Sequence, residues 1–167
     1  MIFDILQRLI IFVALCLAQA LVLNRIQLFH CASPLLYVYF ILLFPRGYAK
    51  WGILLWGFAL GLCIDMFQNT PGLASASMTL VALLQPYLLE LFLPRDAEDN
   101  IRTAAATLGF SKFAALATAL VLVYCLLFFS IEAFSFFDWL YWLQCVLGST
   151  ILTVIFIFTL ECFRKSK

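Results

Sequence analysis

The sequence predicts an all-α, polytopic membrane helix bundle that forms a single transmembrane domain over residues 1–167. Three observations lead there. The chain is 66% apolar and 11% charged, whereas soluble domains average about 45–50% and about 25%. Its mean hydropathy is +1.09, an excess that no soluble core of this size could hide, so much of the surface must face hydrocarbon. Apolar runs near the length of a spanning helix, about 20 residues, recur along the whole chain and are separated only by short polar breaks. The net charge of +1 gives no reason to expect a nucleic-acid partner.

Six spans are expected, taken in order. The first covers 5–23 and is ended by Asn24 and Arg25. Arg8 before an apolar run resembles a signal peptide, but the run ends in LVLNRIQLF with no small-residue cleavage pattern there and more apolar segments follow, so it is read as a retained span. The second is assigned to 28–44. Its core, 34–44, would rise only roughly 16 Å as a helix, too short to cross. It spans only if the stretch from Leu28 joins it, with Pro34 as a kink or as a first helical residue after a Ser33 cap. The third covers 51–67, the fourth 72–93 with Pro86 inside it, the fifth 108–131 and the sixth 139–163.

Charge sets an orientation. Placing the termini and alternate loops on one side collects Arg8, Arg46, Lys50, Arg95, Arg102, Lys112, Arg164, Lys165 and Lys167, nine of the ten basic residues, against Arg25 alone. The positive-inside rule then puts both termini in the cytoplasm, with Trp139, Tyr141 and Trp142 at the outer interface and Trp51 at the inner one. The longest polar stretch, 94–102, lies on the cytoplasmic side, where Asp96 can cap a helix with Glu98 and Asp99 in its first turn. Glu90, one turn beyond Pro86, is expected at the inner interface, near Arg95 or Arg102.

Catalytic and metal chemistry find little to work with. His30 is the only histidine, which leaves no Ser/His/Asp or Cys/His set. None of the six cysteines (Cys16, Cys31, Cys63, Cys125, Cys145, Cys162) forms a CxxC pair. They read as small apolar residues packed inside spans. No enzyme activity, metal or cofactor is expected.

The informative stretch is 61–74, GLCIDMFQNTPGLA, which places Asp65 between two oily segments. Gly57 and Gly61 have the GxxxG spacing that presents a side-chain-free helix face, to be filled either by another helix of this chain or by a partner's helix. Asp65 lies one turn further along that face. A carboxylate at a helix C-terminus opposes the macrodipole and requires compensation. One source is the N-terminus of the next span, whose free N–H groups form an anion site, with Thr70 as cap and Pro71 as first helical residue. The other is Arg25. The fourth span begins with small residues (Gly72, Ala74, Ser75, Ala76, Ser77, Thr79) that suit close packing on the Gly57/Gly61 face. Alternatively, Asp65 serves substrate or proton handling, since intramembrane acids are often functional, or contacts a partner.

Gly57, Gly61, Leu62, Asp65, Phe67, Pro71, Gly72, Leu73 and Ala74 resemble the signature of the rod shape-determining protein MreD family, roughly G-x-x-x-G-L-x-x-D-x-F, a short turn, then G-L-x-A. The resemblance extends more loosely over the chain through its short length, its six apolar segments and its basic C-terminus. It implies a non-enzymatic, multi-pass component of the bacterial inner membrane. Such a component binds MreC, a single-span periplasmic protein, and is tied indirectly to MreB, RodA and the RodA-partner transpeptidase in lateral peptidoglycan synthesis and cell shape. Besides membrane lipid and these proteins, self-association into a homo-oligomer is open. The resemblance also implies a fold similar to the substrate-binding S-components of energy-coupling-factor transporters. The alternative function is therefore a vitamin-binding subunit, in which Gln19, Asn24, Arg25, His30, Asp65, Asn69 and Gln144 would be the polar groups available in the outward half.

Overall fold

The computed structural model describes residues 2–23, 33–45, 47–92, 109–133 and 139–165. Expectations that fall on Asn24, Arg25, His30, Cys31, Arg46, the 94–102 stretch and Lys167 lie outside the described residues. The described chain is an all-α bundle. Helix α1 spans Ile2–Leu21. A 3₁₀ turn, Leu36–Val38, runs into the short α2, Tyr39–Leu42. Then come α3 (Lys50–Gln68), α4 (Leu73–Phe92), α5 (Phe110–Ala133) and α6 (Trp139–Lys165). The last four are long and apolar enough to cross a membrane, and α1 contributes a shorter apolar helix. These are multi-pass features, because large apolar side chains on the outside of every long helix are left facing the surroundings. Leu9, Ile10, Leu55, Phe58, Leu80, Leu122, Ile151 and Ile155 are examples.

The segment expected to span as a helix over 28–44 differs from that expectation. Its described part starts as irregular chain at 33–35 and is helical only from Leu36 to Leu42. Pro34 neither kinks a long helix nor follows a Ser33 cap; the residue at the helix start is Leu35, with no side-chain cap bond. All eight residues from Leu35 to Leu42 are buried. The segment is apolar on every side because protein surrounds it, as in a core helix, and not because lipid does. It runs through the middle of the bundle, and the other helices form a wall around it.

Side-chain contacts orient these elements. Along the central segment, Pro34 lies beside Gln19 of α1 and Phe44 beside Arg8, so the two run antiparallel. Against α6 the order is parallel, with Ser33 at Ser149, Leu35 at Thr153 and Tyr39 at Glu161. Between residues 8 and 19, α1 advances roughly 16 Å, so the central segment covers about half of a ~30 Å hydrocarbon core. It follows that α1 begins, and α6 ends, on the same face of the bundle. On that face Trp51 is exposed at the start of α3, and Trp139 and Tyr141 are exposed at the opposite face, at the start of α6. Arg8 stacks over the rings of Phe44 and Tyr48 at 4.7 and 4.2 Å, and Lys50 lies 4.8 Å from the Tyr87 ring centre. Cations held on aromatic rings in this way suit an interface between apolar and wet surroundings. Helix α4 continues through Pro86, and Glu90 is exposed in its last turns.

Candidate functional site

The site is the turn between α3 and α4. Helix α3 ends where Asn69 takes the left-handed conformation, φ 57°, and its N–H donates to the carbonyl of Asp65. The Thr70 N–H donates to the same carbonyl at 3.2 Å. An asparagine tolerates this backbone better than most residues, because its short polar side chain can bond locally. Three residues on from Asn69, Gly72 sits at φ +89° with nothing close to its missing side chain, so its requirement is conformational and not steric. Pro71 is exposed at the tip of the turn. Helix α4 then begins, its first backbone bond running from the Ala76 N–H to the Gly72 carbonyl at 3.1 Å.

That start leaves earlier N–H groups without helical partners, and Asp65 supplies them. Its Oδ1 accepts from the Ala74 N–H at 2.8 Å and from the Thr70 hydroxyl at 3.2 Å. Its Oδ2 accepts from the Ser75 N–H at 2.9 Å. Both oxygens of a residue only 4% exposed are therefore engaged. The last turn of α3 puts the side chain where its own helix disfavours negative charge, yet aims it at the N-terminus of the neighbouring helix, which favours it. Hydrogen bonds to a charged group contribute about 1.5–3 kcal/mol each. Thr70, expected to cap α4, instead donates to Asp65, and the carboxylate caps the helix. Pro71, expected as the first helical residue, remains in the turn before Leu73.

The glycines explain why the clasp closes. A side-chain carbon at Gly61 would lie 2.4 Å from the Ser75 Cα, 2.8 Å from its N and 2.9 Å from the Ala74 carbonyl oxygen. These are backbone atoms of the same residues that Asp65 holds. A side-chain carbon at Gly57 would lie 3.1 Å from Ala82 Cβ and 3.4 Å from both Ile41 Cδ1 and the Met78 carbonyl oxygen. The Gly57/Gly61 face is thus filled by α4 and the central segment of this same chain. Gly52 faces elsewhere, toward the Tyr48 ring. On α4, Ala74, Ser75 and Ser77 are buried while Ala76 is exposed. The Ser77 and Thr79 hydroxyls return to carbonyls one turn back, at 2.9 and 2.6 Å, so the small face needs no outside partner.

Of the residues singled out in the sequence, the structure brings together Gly57, Gly61, Asp65 and Ala74 inside the hairpin, with Pro71 and Gly72 in its turn. Arg25, the other candidate for Asp65, is outside the described residues. Leu62 and Phe67 point outward, 42% and 60% exposed, beside Met66 at 84%.

A second polar cluster went unrecognised in the sequence. The irregular start of the central segment has backbone groups that helical bonding does not satisfy, and lipid-depth chain must satisfy them within the protein. Gln19 does so from both ends of its amide, donating to the Pro34 carbonyl at 2.9 Å and accepting from the Leu36 N–H at 3.2 Å. From α6, Thr153 accepts from the Leu35 N–H at 3.0 Å and Ser149 from the Ser33 N–H at 3.2 Å. At the other end Gln85 donates to the Phe44 carbonyl at 3.3 Å. Deeper in the segment the Tyr37 and Tyr124 hydroxyls are bonded to each other, and the Tyr39 hydroxyl donates to Glu161 at 2.6 Å. The available signal is Gln19, alone among the apolar residues of 9–23, and Ser149, Thr150 and Thr153 crowded on the last span. Among the described residues no group of three His, Cys, Asp or Glu could hold a metal ion. No protein-family model, curated protein or solved structure matches the chain.

Proposed function

We propose that this chain is a non-enzymatic scaffold of the bacterial inner membrane, a member of the MreD family that binds MreC and helps organise lateral wall synthesis. The observation that carries the reading is that the residues of the family-like signature form one unit and divide into two sets. Gly57, Gly61, Asp65, Gly72 and Ala74 each have a role within the hairpin, in close approach, in the clasp or in the turn. Leu62 and Phe67 have none, because they stand on the outside of α3. A signature whose inward half builds a rigid hairpin and whose outward half is displayed suits a protein that presents a helix face to another membrane protein. A single-span partner such as MreC would offer one helix to that face, where van der Waals packing drives association. The charge distribution supports cytoplasmic termini, and the common face of the described ends of α1 and α6 agrees with an even number of crossings.

The test is affinity purification of the tagged chain from native bacterial membranes in mild detergent, with mass spectrometry of whatever is retained. Recovery of a single-span periplasmic coiled-coil protein together with wall-synthesis enzymes is expected. Recovery of ATPase subunits, or of a bound vitamin, would replace this reading with that of a transport subunit.

A further inference from the structure

Two cations flank the start of α3, and each is seated on an aromatic ring. Arg8 of α1 has its guanidinium carbon 4.2 Å from the Tyr48 ring centre and 4.7 Å from that of Phe44. These two rings brace each other, 5.1 Å apart. The Tyr48 ring lies against Gly52, where a side-chain carbon would be 2.7 Å from its Cε1. The glycine therefore makes room for the ring that holds Arg8. Lys50, two residues before Gly52, projects from the opposite side of α3. There its Nζ lies 4.8 Å from the ring centre of Tyr87 on α4. Among the described residues neither cation makes a hydrogen bond or an ion pair. A ring face attracts a cation without accepting all of its N–H groups, so both keep donors for an acceptor from outside the chain. Helix α3 begins between them, with Ala49 as N-cap and no side-chain cap bond, and adds a dipole end of the same sign.

We propose that Arg8 and Lys50 form a binding site for the phosphate headgroup of an anionic phospholipid. A phosphodiester supplies the acceptors that the two side chains lack, and a guanidinium fork suits its paired oxygens. The surroundings select a lipid over a free anion. Trp51 beside Lys50 is exposed, as is Leu55 one turn deeper on α3; Tyr87 is exposed, as is Leu83 one turn deeper on α4. Tryptophan and tyrosine at this level suit a headgroup layer, and the leucines below them offer an apolar bed for the acyl chains. Two cations with no carboxylate between them favour a headgroup of net negative charge over a zwitterionic one, whose ammonium would bring a third positive charge. The inference requires only that the chain lies in a membrane and is independent of the scaffold reading.

The test follows thermal melting of the purified full-length chain in mild nonionic detergent. The chain is titrated with dioctanoyl phosphatidylglycerol, with dioctanoyl phosphatidylcholine or with inorganic phosphate. A ligand that binds only the folded chain raises the melting temperature in a saturable way, which yields an apparent Kd. The anionic lipid is expected to do so, and the other two are not. Arg8→Gln and Lys50→Gln should each weaken the apparent Kd about fivefold, the contribution of one basic residue at an anionic surface. Lys112→Gln removes the same charge from an exposed position on α5 and should bind as wild type does. Lys50 is exposed, so its variant decides the matter if Arg8→Gln does not fold. Any of four results would overturn the inference. They are no saturable rise with the anionic lipid, an equal rise with phosphatidylcholine or inorganic phosphate, wild-type affinity in a folded Arg8 or Lys50 variant, and an equal loss in Lys112→Gln.

Discussion

Replacing Gly61 with alanine puts the hairpin under the most direct strain. The new carbon would lie 2.4 Å from the Ser75 Cα, whereas carbon atoms rest at about 3.5–4.0 Å. The first turn of α4 must retreat by roughly 1 Å. The bonds from Asp65 to Ala74 and Ser75, now 2.8 and 2.9 Å, would then exceed the usual limit near 3.2 Å. Overpacking alone costs about 1–3 kcal/mol, and each weakened bond to the carboxylate up to about 1.5–3 kcal/mol more. Better helix propensity returns only about 1 kcal/mol, so the net loss is roughly 2–6 kcal/mol. At about 2–4 °C per kcal/mol for a chain of this size, the melting temperature should fall by roughly 5–20 °C. Thermal melting in mild detergent, followed by tryptophan fluorescence, measures it. Gly57→Ala is the internal comparison. Its nearest neighbour is the Ala82 side chain at 3.1 Å, which can give by a few tenths of an ångström, so the change should stay within about 1 kcal/mol. A Gly61→Ala chain that melts within about 2 °C of wild type, or a Gly57→Ala chain that is the more damaged of the two, would refute the close approach of α4 at Gly61.

Other expectations follow from the same contacts. Asp65→Asn keeps the shape but turns a donor toward one of two backbone N–H groups, and should cost about 2–4 kcal/mol in the same melt. Thr70→Val removes only the part-buried hydroxyl bond, at 3.2 Å the longest of the three to the carboxylate, and should cost about 1.5 kcal/mol, the low end for a bond to a charged group; a loss equal to that of Asp65→Asn would deny the clasp its backbone basis. Gln19→Leu leaves the Pro34 carbonyl and the Leu36 N–H unmatched, at about 1–3 kcal/mol per buried group. Proteolysis of the purified variant should then cut faster between α1 and α3, and an unchanged rate would contradict the clamp. Reporters that fluoresce only in the cytoplasm should light up at either terminus, and a result that differs between the two ends would break the topology.

What could be read from the sequence depended on how local each cause is. Helices α3 to α6 lie close to the runs expected at 51–67, 72–93, 108–131 and 139–163, because a bilayer demands a fixed length of apolar chain and breaks show as charge or, between α3 and α4, as turn residues. The anion site for Asp65 was visible for a similar reason: donor and acceptor are 9 and 10 residues apart across one turn. The central segment was not. An apolar run buried in protein and one bathed in lipid have the same composition, and only neighbours distinguish them. Those neighbours are remote in sequence, with Ser149 and Thr153 reaching it over separations of 116 and 118 residues. The sequence places Gln19 among the polar residues of the outward half, but its role as a two-ended backbone clamp depends on Pro34 and Leu36 returning beside it. No periodicity encodes that return.

The scaffold account rests on the outward half of the hairpin being a contact and not merely lipid-facing surface. It is tested most directly by measuring how much co-purifying single-span periplasmic protein is retained per mole of chain. Wild type is compared with a double variant carrying Leu62→Ala and Phe67→Ala, in membranes where both fold. Because these side chains are 42% and 60% exposed, the variant should melt near wild type while retaining at least tenfold less partner, which corresponds to about 1.4 kcal/mol of binding energy. Full retention by the variant, or no such partner on the wild-type chain, would contradict the account.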